Sequence, residues 1–365
     1  MIYKLGELFA GPGGLGWGAS QARVARGSSV WRIEHAWAND LDPAACDTYR
    51  ANVMPRRPRR VITGPVQTLD FTKLPRVDAV TFGFPCNDYS IVGEHRGLEG
   101  DYGPLYTYGV KAVKEFSPAW FLAENVTGIQ SANDGCAFAQ ILEELAAVQP
   151  GYRLTAHEYR FEDYGVPQRR HRIIIVGIRA DLGAVFRVPA PTSAGQPVTA
   201  AEALAGVETV PFNNELTRHA DRVVEMLSYI APGGNAWSDS VPERLRLNVK
   251  GARLSQIYRR LKPDEPAYTV TGSGGGGTHV YHWDEPRALT NRERARLQTF
   301  PDDFVFSGSK EQVRKQIGMA VPPRAAQAIL EAVLKTLAGI EYPSVDASIA
   351  VPDAGYGFVP VRLFS

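Results

Sequence analysis

Cysteine is scarce in this chain: only Cys46, Cys86 and Cys136 occur among 365 residues. They lie far apart and without metal-ligand spacing, so a disulfide framework is not expected and a reducing cytoplasm is the natural setting. An excess of one charge is missing too. Forty basic residues stand against 39 acidic ones, a net charge of +1, so bulk charge does not mark a nucleic-acid binder. No apolar run approaches the length of a membrane span, and Met1-Ile2-Tyr3-Lys4-Leu5 reads as the start of a strand, not as a signal peptide. Internal repeats are absent. What is present, 44% hydrophobic and 22% charged residues, suits one large domain plus a smaller one.

Charge distribution says more than its sum. Between residues 241 and 262 seven basic side chains (Arg244, Arg246, Lys250, Arg253, Arg259, Arg260 and Lys262) face one acid, Glu243. A second cluster is Arg56-Arg57-Pro58-Arg59-Arg60. Each reads either as a phosphate-contacting surface or as a solvated basic face.

From residue 5 to about 178, short apolar runs alternate with amphipathic stretches, which predicts βαβ units around a mostly parallel sheet. Strands are expected at 5–9, 35–39, 78–82, 120–123 and 172–177. Phe138, Ile141, Leu142, Leu145 and Val148 recur at helical spacing, predicting a helix over 136–148. After about Asp181 the alternation fades, and Gly272-Ser273-Gly274-Gly275-Gly276-Gly277 interrupts the chain. The glycine run reads as a flexible spacer or as part of a binding surface. A helix is expected over 292–298. Ala326, Ile329, Leu330, Val333, Leu334 and Leu337 mark a second one, returning to cover the first sheet.

Three constellations sit at strand ends. Gly83-Phe84-Pro85-Cys86-Asn87-Asp88-Tyr89-Ser90 follows the strand 78–82. Glu124-Asn125-Val126 follows 120–123, and Gln168-Arg169-Arg170-His171-Arg172 precedes 173–177. The carboxyl edge of an open α/β sheet is where ligands gather, so a cysteine, a carboxylate and arginines there form a candidate nucleophilic site. A small buried cysteine is the ordinary alternative, and it suits Cys46 and Cys136.

Phe9-Ala10-Gly11-Pro12-Gly13-Gly14-Leu15 lies between the first strand and a helix, where glycines let the backbone approach a ligand. The next strand ends at Asn39-Asp40-Leu41-Asp42. An acid there suits ribose hydroxyls, and for Asp42 a helix N-cap before Pro43 fits equally well. Such a glycine-rich first turn fits a dinucleotide site or a plain tight turn almost as well, and an adenosine cofactor is the ligand expected here.

From about residue 5 to 335 these motifs, in this order, resemble the cytosine-5 DNA methyltransferases of the bacterial type. Phe9 to Gly14 resembles the cofactor loop and Pro85-Cys86 the nucleophile loop. Glu124-Asn125-Val126 with Gln168-x-Arg170-x-Arg172 resembles the base-binding pair. Arg292, with Arg296-Leu297-Gln298-x-Phe300-Pro301, resembles the motif after the target-recognition region, and Gly318-x-Ala320-Val321-Pro322 the closing one. Asn87 stands where the family usually has glutamine. Pro65 replaces an aspartate, within Gly64-Pro65-Val66, and Met319 replaces an asparagine; both changes fall on the cofactor side.

The resemblance implies a doubly wound, Rossmann-like α/β catalytic domain at 1–180 and a smaller irregular target-recognition domain at 181–290. A return segment at 291–340, its helix packing on the catalytic domain, and a tail at 341–365 complete the expected division. It implies S-adenosylmethionine as cofactor, held by Phe9, Gly11, Pro12, Gly13, Gly14, Asp40, Leu41, Val66, Gly83, Pro85, Leu105 and Met319. Cys86 would add as a thiolate to carbon 6 of cytosine and make carbon 5 nucleophilic. Glu124 would hold the ring nitrogen and exocyclic amine, protonated if burial raises its pKa, and Arg172 the carbonyl oxygen. Arg170 would orient the loop or the nucleophile. Ser90, Asn125, Gln168, Thr269, Thr271 and Gly272 are expected on the substrate side, and the loop 96–103 as a lid over DNA.

The base must be flipped from a duplex. Double-stranded DNA is therefore the expected partner, with a cognate restriction endonuclease acting on the same site. The chain is expected to be monomeric, cytoplasmic and nucleoid-associated. Three alternatives share the scaffold: a tRNA cytosine-5 methyltransferase, a DNA-binding protein that has lost catalysis, and an enzyme transferring a group other than methyl.

Overall fold

The computed structural model describes residues 1–84, 105–248, 254–272 and 274–351, and in it the short apolar runs of the N-terminal half assemble into one sheet. Its strands are β1 (Ile2–Leu8), β2 (Arg23–Arg26), β3 (Ser29–Asp40), β4 (Val61–Thr63), β5 (Ala79–Phe82), β6 (Trp120–Val126), β7 (Tyr152–Arg160) and β8 (His171–Arg179). The spatial order is β2-β3-β1-β5-β6-β8-β7, with β4 beside the carboxyl end of β3. Strands β1, β3, β4, β5 and β6 are parallel, whereas β2, β8 and β7 join antiparallel. The sheet is therefore mixed, and the expected parallel character holds for its centre. All four residues of β5 and the first four of β6 are buried in succession, so both faces of those strands are covered.

Helices α1 (Gly14–Gln21), α2 (Pro43–Asn52), α3 (Tyr106–Phe116) and α4 (Cys136–Ala147) connect the strands. Ala112, Val113 and Phe116 of α3 and Ile141, Leu142 and Leu145 of α4 share a core with Val80, Phe82 and Phe121. Ala38, Cys46, Tyr49 and Val61 form another cluster. Cys46 is buried as expected, but Cys136 is exposed, because it opens α4 ahead of the inward-facing Ala137 and Phe138.

The chain divides into two compact units. The first comprises 1–160, 171–191 and 325–365; the second comprises 161–170 and 192–324. The boundaries inferred at 180 and 290 are not these. Residues 161–170 leave the sheet between β7 and β8, and 291–324 group with the second unit. Only from residue 325, within α9 (Pro323–Ala338), does the chain rejoin the first.

The second unit carries the short helices α5 (Ala200–Leu204), α6 (Asp221–Ser228), α7 (Asn291–Leu297) and α8 (Lys310–Met319). Thr290 and Ser309 cap α7 and α8, each in a capping box with the residue three positions on. Met226, Leu227, Ile230, Val241, Leu245, Tyr281 and Ala288 form an apolar core in it. The basic stretch 241–262 is largely spent inside this unit. Arg260 is buried and donates to the carbonyls of Leu227, Ile230, His282 and Glu285. Arg244 pairs with Glu225, Lys262 with Glu265, Arg246 donates to the Val241 carbonyl, and Arg259 lies over the Tyr268 ring. Lys250 and Arg253 lie outside the described residues. By contrast, Arg56, Arg57, Arg59 and Arg60 are all exposed.

Candidate functional site

Strand register builds the first unit's site. Leu8 pairs with Asn39 on one side and Phe82 on the other, and Phe82 pairs with Ala123. One residue further on, Asp40, Phe9, Gly83 and Glu124 therefore stand in a row along the carboxyl edge. In a sheet of this kind that edge is the ligand-binding one.

At one end of the row the backbone turns sharply. Phe9 and Gly11 both have φ near +54° and Gly13 has φ +96° before α1 begins. A side chain at Gly13 would collide with Val53 and Tyr49, 2.7 and 2.9 Å away, so the loop needs glycine for space as well as for backbone angle. Asp40 ties the loop down: its Oδ2 accepts from the Gly11 amide at 2.7 Å and its Oδ1 from the Asp42 amide at 2.9 Å. Asp42 is the N-cap of α2, accepting from the amides of Ala44 and Ala45, so the cap alternative describes it. A Cβ added at Gly11 or Gly64 would meet nothing within 4 Å, which leaves open space on this side of the loop. Leu41 is 66% exposed beside it. Pro12 and Gly14 are buried in the turn, while Val66 and Leu105 lie in the core.

At the other end Glu124 meets Arg172. Glu124 pairs in register with Ile174, which places Arg172 on the diagonal across β6 and β8, within reach of a long side chain. Arg172 Nε is 3.1 Å from Glu124 Oε1, both side chains being 14% exposed. The second carboxylate oxygen lies 3.0 Å from the point where a Cβ would sit on Gly83, so only glycine fits beside it without displacing the carboxylate. Asn125 is buried, and its amide donates to the Phe84 carbonyl at 3.3 Å, holding the segment that leads to Pro85 and Cys86. Pro85, Cys86, Ser90 and the loop 96–103 lie outside the described residues.

The remaining expected residues belong to the second unit. Gln168 is fully buried, its Nε2 donating towards the Leu297 carbonyl and Gln298 Oε1 and its Oε1 accepting from the Val270 amide. Arg170, 1% exposed, donates to the carbonyls of Val270 and Gly318. Both brace the interior of this unit. Thr269 donates its hydroxyl to the Arg169 carbonyl, whereas Thr271 is exposed. Three glycines of the run are packed: Gly272 lies against Lys315 and Met319 of α8, Gly274 against Arg314, and Gly277 against Ile257 and Tyr258. Met319 itself, the last residue of α8, is 62% exposed.

Three residues had no place in the sequence reading. Glu7 is 3% exposed on β1, and burial pushes its carboxyl up to about 8. Tyr49 Oη lies 2.7 Å from Glu7 Oε2 and 3.1 Å from His35 Nδ1, and burial holds His35 down to about 4. The available signal was an acid inside the otherwise apolar run Leu5-Gly6-Glu7-Leu8.

The family model for C-5 cytosine-specific DNA methylase matches residues 3–335. Over 354 residues the chain is 63% identical to Type II methyltransferase M.BbvI of Brevibacillus brevis, covering 95% of each protein. Type II methyltransferase M.NgoFVII of Neisseria gonorrhoeae is 40% identical, over 94% of this chain and 89% of that one. Among solved structures, a DNA modification methyltransferase encoded within an E. coli prophage superposes with a TM-score of 0.69 at 23% identity, over 92% of this chain and 99% of that one. The S. pombe Dnmt2 methyltransferase superposes at 0.56 and 15% identity, over 92% and 98%. The two structures share the Rossmann-like fold.

Proposed function

The chain belongs to the C-5 cytosine-specific DNA methylases, and on that premise we propose that it moves a methyl group from S-adenosylmethionine to carbon 5 of a cytosine flipped out of duplex DNA, through a transient bond from Cys86 to carbon 6. The observation that supports this most is the Glu124–Arg172 pair at the carboxyl edge, on a strand adjoining the one that runs through Gly83 towards Cys86.

Carbon 5 of cytosine is too electron-poor to attack an electrophile unaided. Addition of the Cys86 thiolate at carbon 6 turns the ring into an enamine whose carbon 5 is nucleophilic. The electron pair pushed into the ring needs a hydrogen-bonding cradle. Glu124 faces the ring nitrogen and exocyclic amine, and Arg172 donates to the carbonyl oxygen, each already held in place by the other. Asn125 fixes the backbone before Cys86. Elimination then requires loss of the carbon-5 proton and expulsion of the thiolate, which restores Cys86.

The cofactor side fits an adenosine ligand. The open space at Gly11 and Gly64, the glycine-loop backbone fixed by Asp40, and the exposed Leu41 would hold it, with Phe9 and Gly83 as further contacts. When bound, S-adenosylmethionine supplies an electrophilic methyl group. Thr271 and Gly272 are proposed DNA contacts, and Ser90 a phosphate contact. Since two relatives are named Type II methyltransferases, the proposed role is protection of one DNA sequence from a cognate endonuclease.

The test is a trapping experiment with duplex DNA containing 5-fluorocytosine and S-adenosylmethionine. Fluorine blocks the elimination, so a stable protein–DNA adduct is expected, absent from Cys86→Ala. No adduct with any DNA, or an adduct only with RNA, overturns the proposal.

A further inference from the structure

Beneath the glycine loop three titratable side chains meet in a closed interior: Glu7 of β1, His35 of β3 and Tyr49 of α2. Their contacts continue to α1, since His35 Nε2 lies 2.9 Å from the Gly16 carbonyl oxygen. Three hydrogen bonds in a row need three protons, and the proton count is restrictive.

A carbonyl only accepts, so His35 Nε2 must carry hydrogen. In a neutral ring Nδ1 then only accepts, and the single phenolic proton of Tyr49 goes to it. Glu7 Oε2 must therefore bring its own proton and donate to the Tyr49 oxygen. The other arrangement with the same count is a carboxylate and an imidazolium with the phenol donating to Glu7. Either way the trio holds one proton more than an ionised glutamate, a neutral tyrosine and a neutral histidine would. Burial selects the uncharged arrangement, keeping the proton on Glu7 and off His35. The charge of Asp40 adds to the effect on Glu7. From β5 the register partner of Glu7 is Thr81, which carries none.

The trio is in contact with the loop. Side chains at Gly13 or Gly16 would meet Tyr49 at 2.9 and 2.6 Å, and at Gly16 also Glu7 Oε2 at 2.8 Å. We propose that this shared proton fastens the glycine loop and the first turn of α1 in the conformation that binds the methyl donor, which makes Glu7, Tyr49 and His35 positioning residues. The inference rests on the cofactor reading of the loop given above. When the proton leaves to solvent, one of the three bonds lacks hydrogen and the loop loses a fastening. Apparent affinity then falls with the fraction of competent loop.

The experiment measures S-adenosylmethionine binding by equilibrium dialysis from pH 6.5 to 9.5, for the wild type and Glu7→Gln. A glutamine amide donates to Tyr49 at every pH and so imitates the protonated acid. The wild type is expected to bind roughly fivefold more weakly once the proton is lost, the scale of one buried hydrogen bond. Glu7→Gln is expected to bind as the wild type does at pH 7 and to stay level. A level wild-type profile, or a parallel decline in the variant, overturns the proposal. Nitrogen-15 spectra of His35 without ligand read the Nε2-protonated ring independently. If that ring is seen and the cofactor binds at no pH, the cofactor reading fails; if the cofactor binds without a pH step, the positioning role fails.

Discussion

Arg172 Nε stands 3.1 Å from Glu124 Oε1 across neighbouring antiparallel strands, and each side chain keeps only 14% of its surface exposed. The two are a mutual brace at the carboxyl edge. Neither is spent on the core, and Gly83 leaves room beside the carboxylate.

Glu124→Gln keeps the shape and one acceptor but loses the charge and the ability to take and return a proton. Turnover is expected to fall by roughly 100-fold or more, the usual scale for a positioned acid–base group. DNA affinity should change little. Tritium transfer to DNA under single-turnover conditions and a filter-binding isotherm separate the two, and near-normal turnover would remove Glu124 from the mechanism.

Arg172→Lys replaces a planar fork by a point charge. It cannot both pair with Glu124 in the present geometry and donate to a base carbonyl. Turnover is expected to drop about tenfold or more, with Arg172→Ala lower still. Equal rates for Arg172→Lys and the wild type would show that only charge at this position matters.

Asp40 and Asp42 are close in sequence but differ in structure. Asp42 caps α2, so Asp42→Ala is expected to cost about 1 kcal/mol in urea unfolding while leaving S-adenosylmethionine affinity alone. Asp40→Ala releases the Gly11 amide and should weaken that affinity directly. The reverse pattern in paired unfolding and binding measurements would exchange the two roles.

How legible this was depended on where the physical signal lay. Strands β5 and β6 are continuous apolar runs closed by Gly83 or by the polar Glu124-Asn125, so their existence and their edge were readable locally. Pairing direction is not local: nothing within 171–179 says that β8 runs antiparallel to β6, and β7, whose polar residues alternate with Tyr152, Leu154 and Ala156, was not read. Helix α8 has only Val313 and Ile317 as aliphatic residues pointing inward, so its packing against the glycine run was invisible. Gln168 and Arg170 look like surface residues by type. Their burial follows from backbone carbonyls and amides supplied by residues about 100 or more positions away.

Gly318 and Gly272 touch backbone to backbone. A Cβ on Gly318 would lie 1.9 Å from the Gly272 nitrogen and 2.1 Å from the Thr271 carbonyl carbon, and neither backbone can yield as a side chain does. Gly318→Ala is expected to destabilise by about 3 kcal/mol. Gly275→Ala, with nothing within 4 Å and an extended backbone, should stay within about 0.5 kcal/mol of wild type and serves as the control. Calorimetric melting of both variants checks the contrast.

The buried trio also predicts how stability depends on pH. Glu7 titrates at about 8 when folded against an ordinary 4.5, so its contribution is present below 4.5 and declines as pH rises to 8. His35 titrates at about 4 against 6.5, so its term has the opposite sign: stability improves from pH 4 to 6.5. Between 4.5 and 6.5 the two nearly cancel. From 6.5 to 8 only Glu7 acts, and stability should fall by at most about 1.4 kcal/mol per pH unit, the value for one proton. Glu7→Gln removes that decline and exposes the histidine term alone. The difference in unfolding free energy between the two proteins is therefore expected to change steadily in favour of the variant from pH 4.5 to 8, and then level off. Urea unfolding at half-unit pH intervals gives that difference directly, and a difference independent of pH would mean that Glu7 is ionised in the folded protein.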